Sequence, residues 1–511
     1  MLAKVFSSTV IGIEAKEVVV EVDVAGGLPG FSIVGLPDPA VRESINRVKA
    51  AIKNCQFEFP SRKITVNLAP ADIKKQGPSF DLPIALGILM ATGQITPEVL
   101  QDKVVCGELS LDGSLLPITG SLPRALALKN GPTRNLLLPQ DNSQEAAVVS
   151  GVLVRPLANL AQTVSFLRQE IEIPPQKINL RRIWRGNGHY ELDLGDIKGQ
   201  MHVKRGLEVA AAGGHNLLMI GPPGAGKTLL TKCLPGILPR LNLHEALEAT
   251  RIHSIAGLLT KRQTLINSRP FRAPHHTISD VALIGGGSYP QPGEISLAHH
   301  GVLFLDELPE FKRNALEALR QPLEEGNITV SRASGSVNFP ARFMLVAAMN
   351  PCPCGYFTDP KKECRCAPLQ IQKYLAKVSG PLLDRIDMHL EVPSLNYQEL
   401  SQRPKGESSV LIRERVEKTR AIQTRRYIKE GNIYNANIGP KQVERYCQLT
   451  KDAQDLLKMA IYDLGLSARA YDKVLKLGRT IADLTGEEEI GPGHISEAIG
   501  YRSLDRNIWM H

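Results

Sequence analysis

The eight residues GPPGAGKT at 221–228 leave the chain little choice of local fold. They satisfy G-x4-G-K-[ST] in full, follow the apolar run NLLMI (216–220) and precede the helix-forming TLLTKCL. Strand, glycine loop and helix in that order define a phosphate-binding loop, and they start a parallel α/β sheet. The loop comprises Gly221, Pro222, Pro223, Gly224, Ala225, Gly226, Lys227 and Thr228. Its glycines let backbone N–H groups curl around phosphate oxygens, and the helix N-terminus adds its positive end. Lys227 is expected to reach the outer phosphates of a nucleotide, and Thr228 to ligate Mg²⁺.

Four further segments complete a nucleotide site. GVLFLDEL (301–308) reads as a buried parallel strand. At its carboxyl end Asp306 is set to hold Mg²⁺ and Glu307 to polarise an attacking water. FMLVAAMN (343–350) is another apolar strand, tipped by Asn350, which can orient that water or touch the γ-phosphate. PLLDRIDMHLEV (381–392) carries Arg385 between two aspartates. In a ring ATPase an arginine there can reach a neighbouring subunit's γ-phosphate. Arg469, near the start of the amphipathic stretch 466–484, suits an arginine from a helical lid closing over the phosphates.

The chain has 511 residues and divides by pattern. Residues 1–170 mix strand-like and helical runs as one α+β domain, and 171–197 are irregular and read as a linker. Residues 198–395 form the parallel-sheet core, with a four-cysteine insertion at 351–366, and 396–511 a helical lid domain. The longest apolar run, LPIALGILMA (82–91), is half a membrane span. No signal-peptide core opens the sequence, so the expectation is a cytoplasmic protein with no membrane partner and with reduced thiols. A net charge of +9 permits a polyanionic partner without demanding one.

The order and wording of these segments resemble the AAA+ ATPases of the magnesium-chelatase-like branch, and within it the YifB/ComM family. The phrases RPFRAPHHT, GEISLAHHGVLFLDELPEF, FPARFMLVAAMNPCPCG, VSGPLLDRIDMH and LSARAYDKVLKLGRTIADL carry the resemblance, which runs essentially end to end. It implies ATP and Mg²⁺ as cofactors, Lys227, Asp306, Glu307, Asn350, Arg385 and Arg469 as catalytic residues, and a homo-oligomeric ring, hexameric, with ATP at subunit interfaces. It also implies a motor driving DNA translocation and branch migration, a helicase of natural transformation or recombination, on branched, single- or double-stranded DNA. The alternative is a protein- or cofactor-remodelling ATPase of the magnesium-chelatase type, and a third reading is an ATP-dependent protease.

Two segments are candidates for gripping DNA. Gly/Pro-rich 269–297, containing Arg272, fills the long gap between Lys227 and Asp306, and 328–342 reads as a hairpin with Arg332 near its turn. His275 and His276, read as adjacent strand residues, would face opposite ways and share no metal. The basic stretch 411–429 is either a solvated lid face or a surface for DNA or another subunit. Residues 66–89 and 109–131 resemble the Lon protease-domain fold, with Ser79 matching the segment of its nucleophile. A Ser–Lys protease needs a lysine base, whereas Leu122 and Arg124 stand at the matching positions, so this domain is expected to be non-proteolytic.

Directly behind Asn350, Cys352, Cys354, Cys364 and Cys366 form two C-x-C pairs. Four such thiolates can close one tetrahedral Zn²⁺ site of structural type, and redox-active thiols are the rival reading.

Overall fold

A computed structural model describes residues 2–502 apart from 130, 132, 186–189, 191, 261–262, 288, 333–334, 358, 360, 395–405, 432 and 465–466. The chain forms two compact units, Met1–Gly186 with Ala246–Ile266, and Asn187–Glu245 with Asn267–His511. Among the described residues no helix is long and apolar enough to cross a membrane.

The first unit is built on β1 (Leu2–Ile11), β2 (Glu14–Ala25), β3 (Gly30–Val34), β4 (Lys63–Ala69) and β5 (Lys103–Val105). A small pair, β6 (Glu108–Leu109) and β7 (Leu115–Leu116), precedes β8 (Asn135–Pro139) and β9 (Leu153–Leu157). The main sheet runs β3-β4-β2-β1-β5-β8-β9. Alternation in EVVVEVDV turns Val18, Val20, Val22 and Val24 to one buried face. Against that face lies helix Asp81–Ala91, every residue of which is buried. This accounts for the unbroken apolar run as core rather than membrane. Gly87 permits the approach, because a Cβ there would stand 2.5 Å from Val22 Cγ2.

The second unit holds five parallel strands, β10 (Leu217–Ile220), β11 (Phe271–Arg272), β14 (Val302–Leu305), β17 (Met344–Met349) and β18 (Met388–Glu391). Their order is β11-β14-β17-β10-β18. Every residue of β10, β14 and β17 is buried, the mark of strands covered on both faces. Two antiparallel pairs stand apart from this sheet, β12 (Gly285–Gly286) with β13 (Gln291–Pro292) and β15 (Asn327–Arg332) with β16 (Gly335–Pro340). Beyond β18 the described residues form helices and 3₁₀ turns, including Ser409–Arg426, Lys451–Leu464, Ala468–Thr485 and Pro492–Gly500, with one isolated bridge between Leu449 and Ile490.

The structure departs from two expectations about the chain's division. The stretch read as a linker is partly absorbed, since Ile173 is buried in the first unit's core and Leu194 in the second's. Residues 246–266, expected in the ATPase core, cluster instead with the first unit. There the Ser254 hydroxyl donates to half-buried Glu145, which also accepts from Leu122 N, and Gly120 N donates to Ser254 O. The expected start of the lid, at 396, lies outside the described residues.

Candidate active site

The glycine loop leaves β10 and enters helix Lys227–Ile237 with Gly224 at φ +77° and Gly226 at φ +90°. A side chain at either would be strained, although a Cβ there would meet no atom within 4 Å, so the loop's concave side is open. Gly221 serves close packing, as a Cβ there would stand 2.1 Å from Val392 O.

Lys227 Nζ donates to Gly221 O at 2.6 Å, Pro222 O at 3.0 Å and Asn350 Oδ1 at 3.1 Å. Burial pushes its pKa down, and the carboxylates of Asp306 and Glu307 work against that shift. Thr228 Oγ1 donates to Asp306 Oδ2 at 2.6 Å. A hydroxyl and a carboxylate converging beside a phosphate loop are the hard-oxygen pair that suits Mg²⁺. The loop, Asp306, Glu307 and Asn350 therefore meet at the carboxyl ends of β10, β14 and β17, where open α/β sheets bind ligands. Glu307 itself is at φ +54°, a left-handed conformation unusual for glutamate.

Arg385 and Arg469 are not part of that cluster. Asp387 N donates to Asn216 O and Met388 pairs with Leu217, so the segment carrying Arg385 enters the sheet at its amino end. The four residues of β10 separate it from the phosphate loop by about 13 Å at ~3.3 Å per residue. Arg385 is ion-paired with Glu324 and donates to Pro381 O at 2.5 Å, while its buried Nε has no hydrogen-bond partner. Arg469 Nη1 lies 2.5 Å from Asp384 Oδ2, one residue from Arg385. Arg469 thus stands beside the segment carrying Arg385 rather than in the cluster of Lys227, Asp306 and Asn350. The C-terminal helices are held against this segment because Lys473 and Arg502 both donate to Ile386 O. Burial raises the Asp387 carboxyl pKa, but hydrogen bonding to His215 and the charge of Lys473 outweigh it and hold it at about 2.

Arg272 pairs bidentately with Glu294, at 2.6 Å for each bond. Arg332 is exposed at the end of β15, and its guanidinium donates to Ser331 O at 3.0 Å and Gly285 O at 3.4 Å. The hairpin forms as read, with Ile328 opposite Phe339, and its tip at 333–334 lies outside the described residues. The histidine pair departs from expectation: 275–276 are not in a strand, and their rings lie 4.1 Å apart. His275 Nδ1 is 2.9 Å from Thr277 Oγ1, and His276 Nδ1 is 3.2 Å from Glu307 Oε2. The basic helix Ser409–Arg426 turns four of its five arginines to internal partners, and Arg425 is exposed. Arg413 reaches Gly236 O, Arg415 pairs with Glu208 and Glu407, Arg420 lies over the Tyr434 ring, and Arg426 pairs with Asp483.

One supporting residue had no sequence signal. Gln200, buried and at φ +54°, donates from Nε2 to Ala225 O at 2.7 Å and so braces the phosphate loop from the preceding helix. A lone glutamine before a helix carries no motif, and only the fold brings it to Ala225.

The four cysteines behind Asn350 do converge, with all sulfurs within 4.8 Å of one another. Cys352 Sγ is 3.3 Å from Cys354 Sγ and 3.7 Å from Cys364 Sγ, and Cys354 Sγ is 3.6 Å from Cys364 Sγ. A tetrahedron with Zn–S of ~2.3 Å has edges of about 3.8 Å, so the thiols stand close to ligand spacing. Backbone N–H groups of Gly355 and Phe357 donate to Cys352 Sγ, and that of Cys354 to Cys366 Sγ. Hydrogen bonds from the Tyr356 and Arg365 backbones hold the Cys354 thiol down at about 6, whereas the Cys352, Cys364 and Cys366 thiols are pushed up, so one of the four is poised as a thiolate. The knuckle also abuts the nucleotide loop. A Cβ on Gly355 (φ +85°) would stand 2.5 Å from Pro223 Cδ and 3.8 Å from Asn350 Cγ.

In the first unit Arg124 Nη2 donates to Ser79 Oγ at 3.2 Å, and Nη1 to Ser8 Oγ at 2.9 Å and Cys106 Sγ at 3.3 Å. Both Ser79 and Arg124 are buried, and Lys75 turns to Pro70 O.

Together, a five-stranded parallel sheet, a complete phosphate loop and a helical C-terminal region describe the AAA+ fold in its magnesium-chelatase form. Three family descriptions match in succession: Subunit ChlI of Mg-chelatase over residues 20–142, Magnesium chelatase, subunit ChlI over 193–400, and Magnesium chelatase, subunit ChlI C-terminal over 406–502. The chain belongs to the ComM/YifB family of magnesium-chelatase-like proteins. It is 46% identical over 509 residues to Competence protein ComM of Haemophilus influenzae, covering 99% of this chain and 98% of that one. To proteins described as Uncharacterized protein YifB it is 43% identical in Salmonella typhimurium and 42% in Escherichia coli, at the same two coverages.

Proposed function

We propose that this protein is a Mg²⁺-dependent ATPase that assembles as a hexameric ring and couples ATP hydrolysis to translocation along DNA and to branch migration. The observation that carries the reading is the separation of two half-sites. Lys227, Thr228, Asp306, Glu307 and Asn350 gather at the carboxyl ends of the sheet, and Arg385 and Arg469 at its amino end. A site needing both halves is completed by a second copy, which is the logic of ATP at subunit interfaces. In it Lys227 leaves the loop carbonyls for the outer phosphates, Glu307 orients water, and the neighbour's Arg385 meets the charge that develops on the transferred phosphoryl group. Thr228 and Asp306 would hold Mg²⁺, which supplies charge neutralisation at the phosphates.

DNA as the substrate rests on the relative named a competence protein, on the basic balance of the chain and on the exposed Arg332. Strand exchange on a synthetic branched junction, with Glu307→Gln as the inactive control, tests it. ATP turnover without exchange rejects the branch-migration reading. A magnesium-chelatase-type remodelling activity is the second reading, favoured by the three matched family descriptions. It predicts ATPase activity indifferent to DNA and a protein retained by the Glu307→Gln variant. The cysteine knuckle is proposed to hold a structural Zn²⁺ that braces Pro223 and Asn350. The first unit is proposed as a Lon-like domain without protease activity, since Arg124, which keeps its proton, engages Ser79 where a lysine base would be required.

A further inference from the structure

We propose that Asn216 is a positioning residue for Arg385, fixing the arginine that one subunit offers to its neighbour's nucleotide. The inference rests on the reading of Arg385 as an arginine that acts between subunits. Asn216 lies in the turn between helix Met201–Gly213 and β10, immediately before Leu217. It belongs to no motif, yet five hydrogen bonds converge on it. Its side-chain Nδ2 donates to Arg385 O at 3.0 Å, and its Oδ1 accepts from Leu345 N at 2.9 Å. Its backbone N–H donates to Asp387 Oδ2 at 3.1 Å, and its carbonyl accepts from Asp387 N at 2.9 Å and Met388 N at 3.1 Å. One strand thus carries both halves of the proposed chemistry. Gly221 opens the phosphate loop at the carboxyl end of β10, and Asn216 holds the Arg385 segment at its amino end.

The two side-chain bonds fix the orientation of the amide, since only its NH₂ can meet a carbonyl and only its oxygen an N–H. They also divide its work. The oxygen ties down Leu345 of β17, and the NH₂ reaches Arg385. Arg385 sits in the short run between helix Gly380–Leu383 and β18. Its own N–H donates to Leu382 O within that turn. The ladder with β10 begins only at Met388, so strand pairing does not extend back to Arg385. The Asn216 NH₂ therefore ties the sheet directly to the residue that bears the guanidinium. Asn216 is held in its turn by its neighbour His215, which is buried with Nε2 2.8 Å from Thr480 Oγ1 and Nδ1 3.5 Å from Asp387 Oδ2. A guanidinium whose backbone is fixed can be aimed across a subunit boundary, and one whose backbone drifts loses the alignment that phosphoryl transfer needs.

The test is steady-state ATPase of the full-length protein, with titration of ATP binding, in Asn216→Ala, Asn216→Asp, Arg385→Ala and the double variant of Asn216→Ala with Arg385→Ala. Removing one neutral hydrogen bond to Arg385 is expected to lower kcat roughly tenfold in Asn216→Ala, with ATP affinity unchanged. Asn216→Asp keeps the acceptor for Leu345 N and loses only the donor, so it should show the same loss, and it decides the matter if the alanine variant is unstable. The double variant should be no slower than Arg385→Ala, because both changes act through one group. Mixing subunits locates the defect. An equal mixture of Asn216→Ala with Glu307→Gln should reach roughly fivefold the mean of its parents, since about a quarter of its junctions join an intact Glu307 to an intact neighbouring arginine. A mixture of Asn216→Ala with Arg385→Ala should show no gain. The reverse pattern of gains places the defect in the subunit's own phosphate loop and overturns the proposal. So does an undiminished kcat in both Asn216 variants, or loss of ATP binding in both. A fall in kcat for Arg385→Ala beside unchanged Asn216 variants rejects the positioning role and leaves the reading of Arg385 standing. Full kcat in Arg385→Ala rejects that reading and the proposal with it.

Discussion

Arg385→Ala separates an arginine that acts in its own chain from one that acts in a neighbour. The backbone segment carrying Arg385 meets the sheet one strand length, about 13 Å, from its own phosphate loop. At an effective dielectric of about 20, unit charges attract by about 1 kcal/mol over that distance and by about 4 kcal/mol at ~4 Å. At ~1.4 kcal/mol per decade, an arginine working only across its own sheet costs roughly tenfold in kcat when removed, and one in contact costs up to about a thousandfold. The proposed ring predicts the larger loss. Mixing separates the two routes further. Arg385→Ala subunits keep Glu307, and Glu307→Gln subunits keep Arg385. In a random equal mixture about a quarter of subunit junctions then join an intact Glu307 to an intact neighbouring arginine. ATPase should rise from near zero towards a quarter of wild type on mixing, read in a coupled phosphate-release assay. A mixture no more active than the average of its parts, from subunits shown by light scattering to assemble, refutes action between subunits.

Gly355→Ala forces an L side chain into φ +85° and a Cβ to within 2.5 Å of Pro223 Cδ. We expect a loss of about 2 kcal/mol in ATP binding, measured by titration, with little change in the first unit's melting. Reduced, purified protein should contain one zinc per chain by elemental analysis, and Cys354→Ser should lower both zinc content and melting temperature. Metal-free reduced protein with an unchanged melting temperature would reject the knuckle as a zinc site. For Asp387 the folded carboxyl is held at about 2, below its ordinary 3.8, so the charged form stabilises the fold. That contribution, about 2 kcal/mol, is fully present above pH ~4 and is lost as pH falls through about 2. Asp387→Asn should therefore be destabilised at pH 7, with the gap from wild type closing in acid denaturation curves. Arg332→Ala should weaken DNA binding evenly across sequences and reduce the salt slope by about one.

Much of the nucleotide site was legible because its determinants are local. The spacing of three glycines, a lysine and a threonine within eight residues, and an Asp-Glu pair at the end of an apolar run, impose a loop and a strand end whatever surrounds them. The same holds for the C-x-C pairs, where a short loop brings sulfurs within reach. Nothing in the pattern of residues 246–266 reveals that they cluster with the first unit, or that Ser254 hydrogen-bonds to Glu145, more than a hundred residues earlier. The arginines of the basic helix looked like a charged surface, yet their partners Glu208, Tyr434 and Asp483 are set by packing.

The decisive difference concerns direction. Composition and motif name Arg385, Arg469 and His276 as polar residues near a nucleotide fold, but which end of a sheet they occupy depends on strand order and register. Pairing Met388 with Leu217 puts both arginines at the end away from their own phosphate loop. The turn after β11 brings His276 onto Glu307. Backbone hydrogen bonding and apolar periodicity act over a few residues and so can be read along the chain. Charge partners meet only after the core has closed, and the tertiary structure alone decides whom each cation serves.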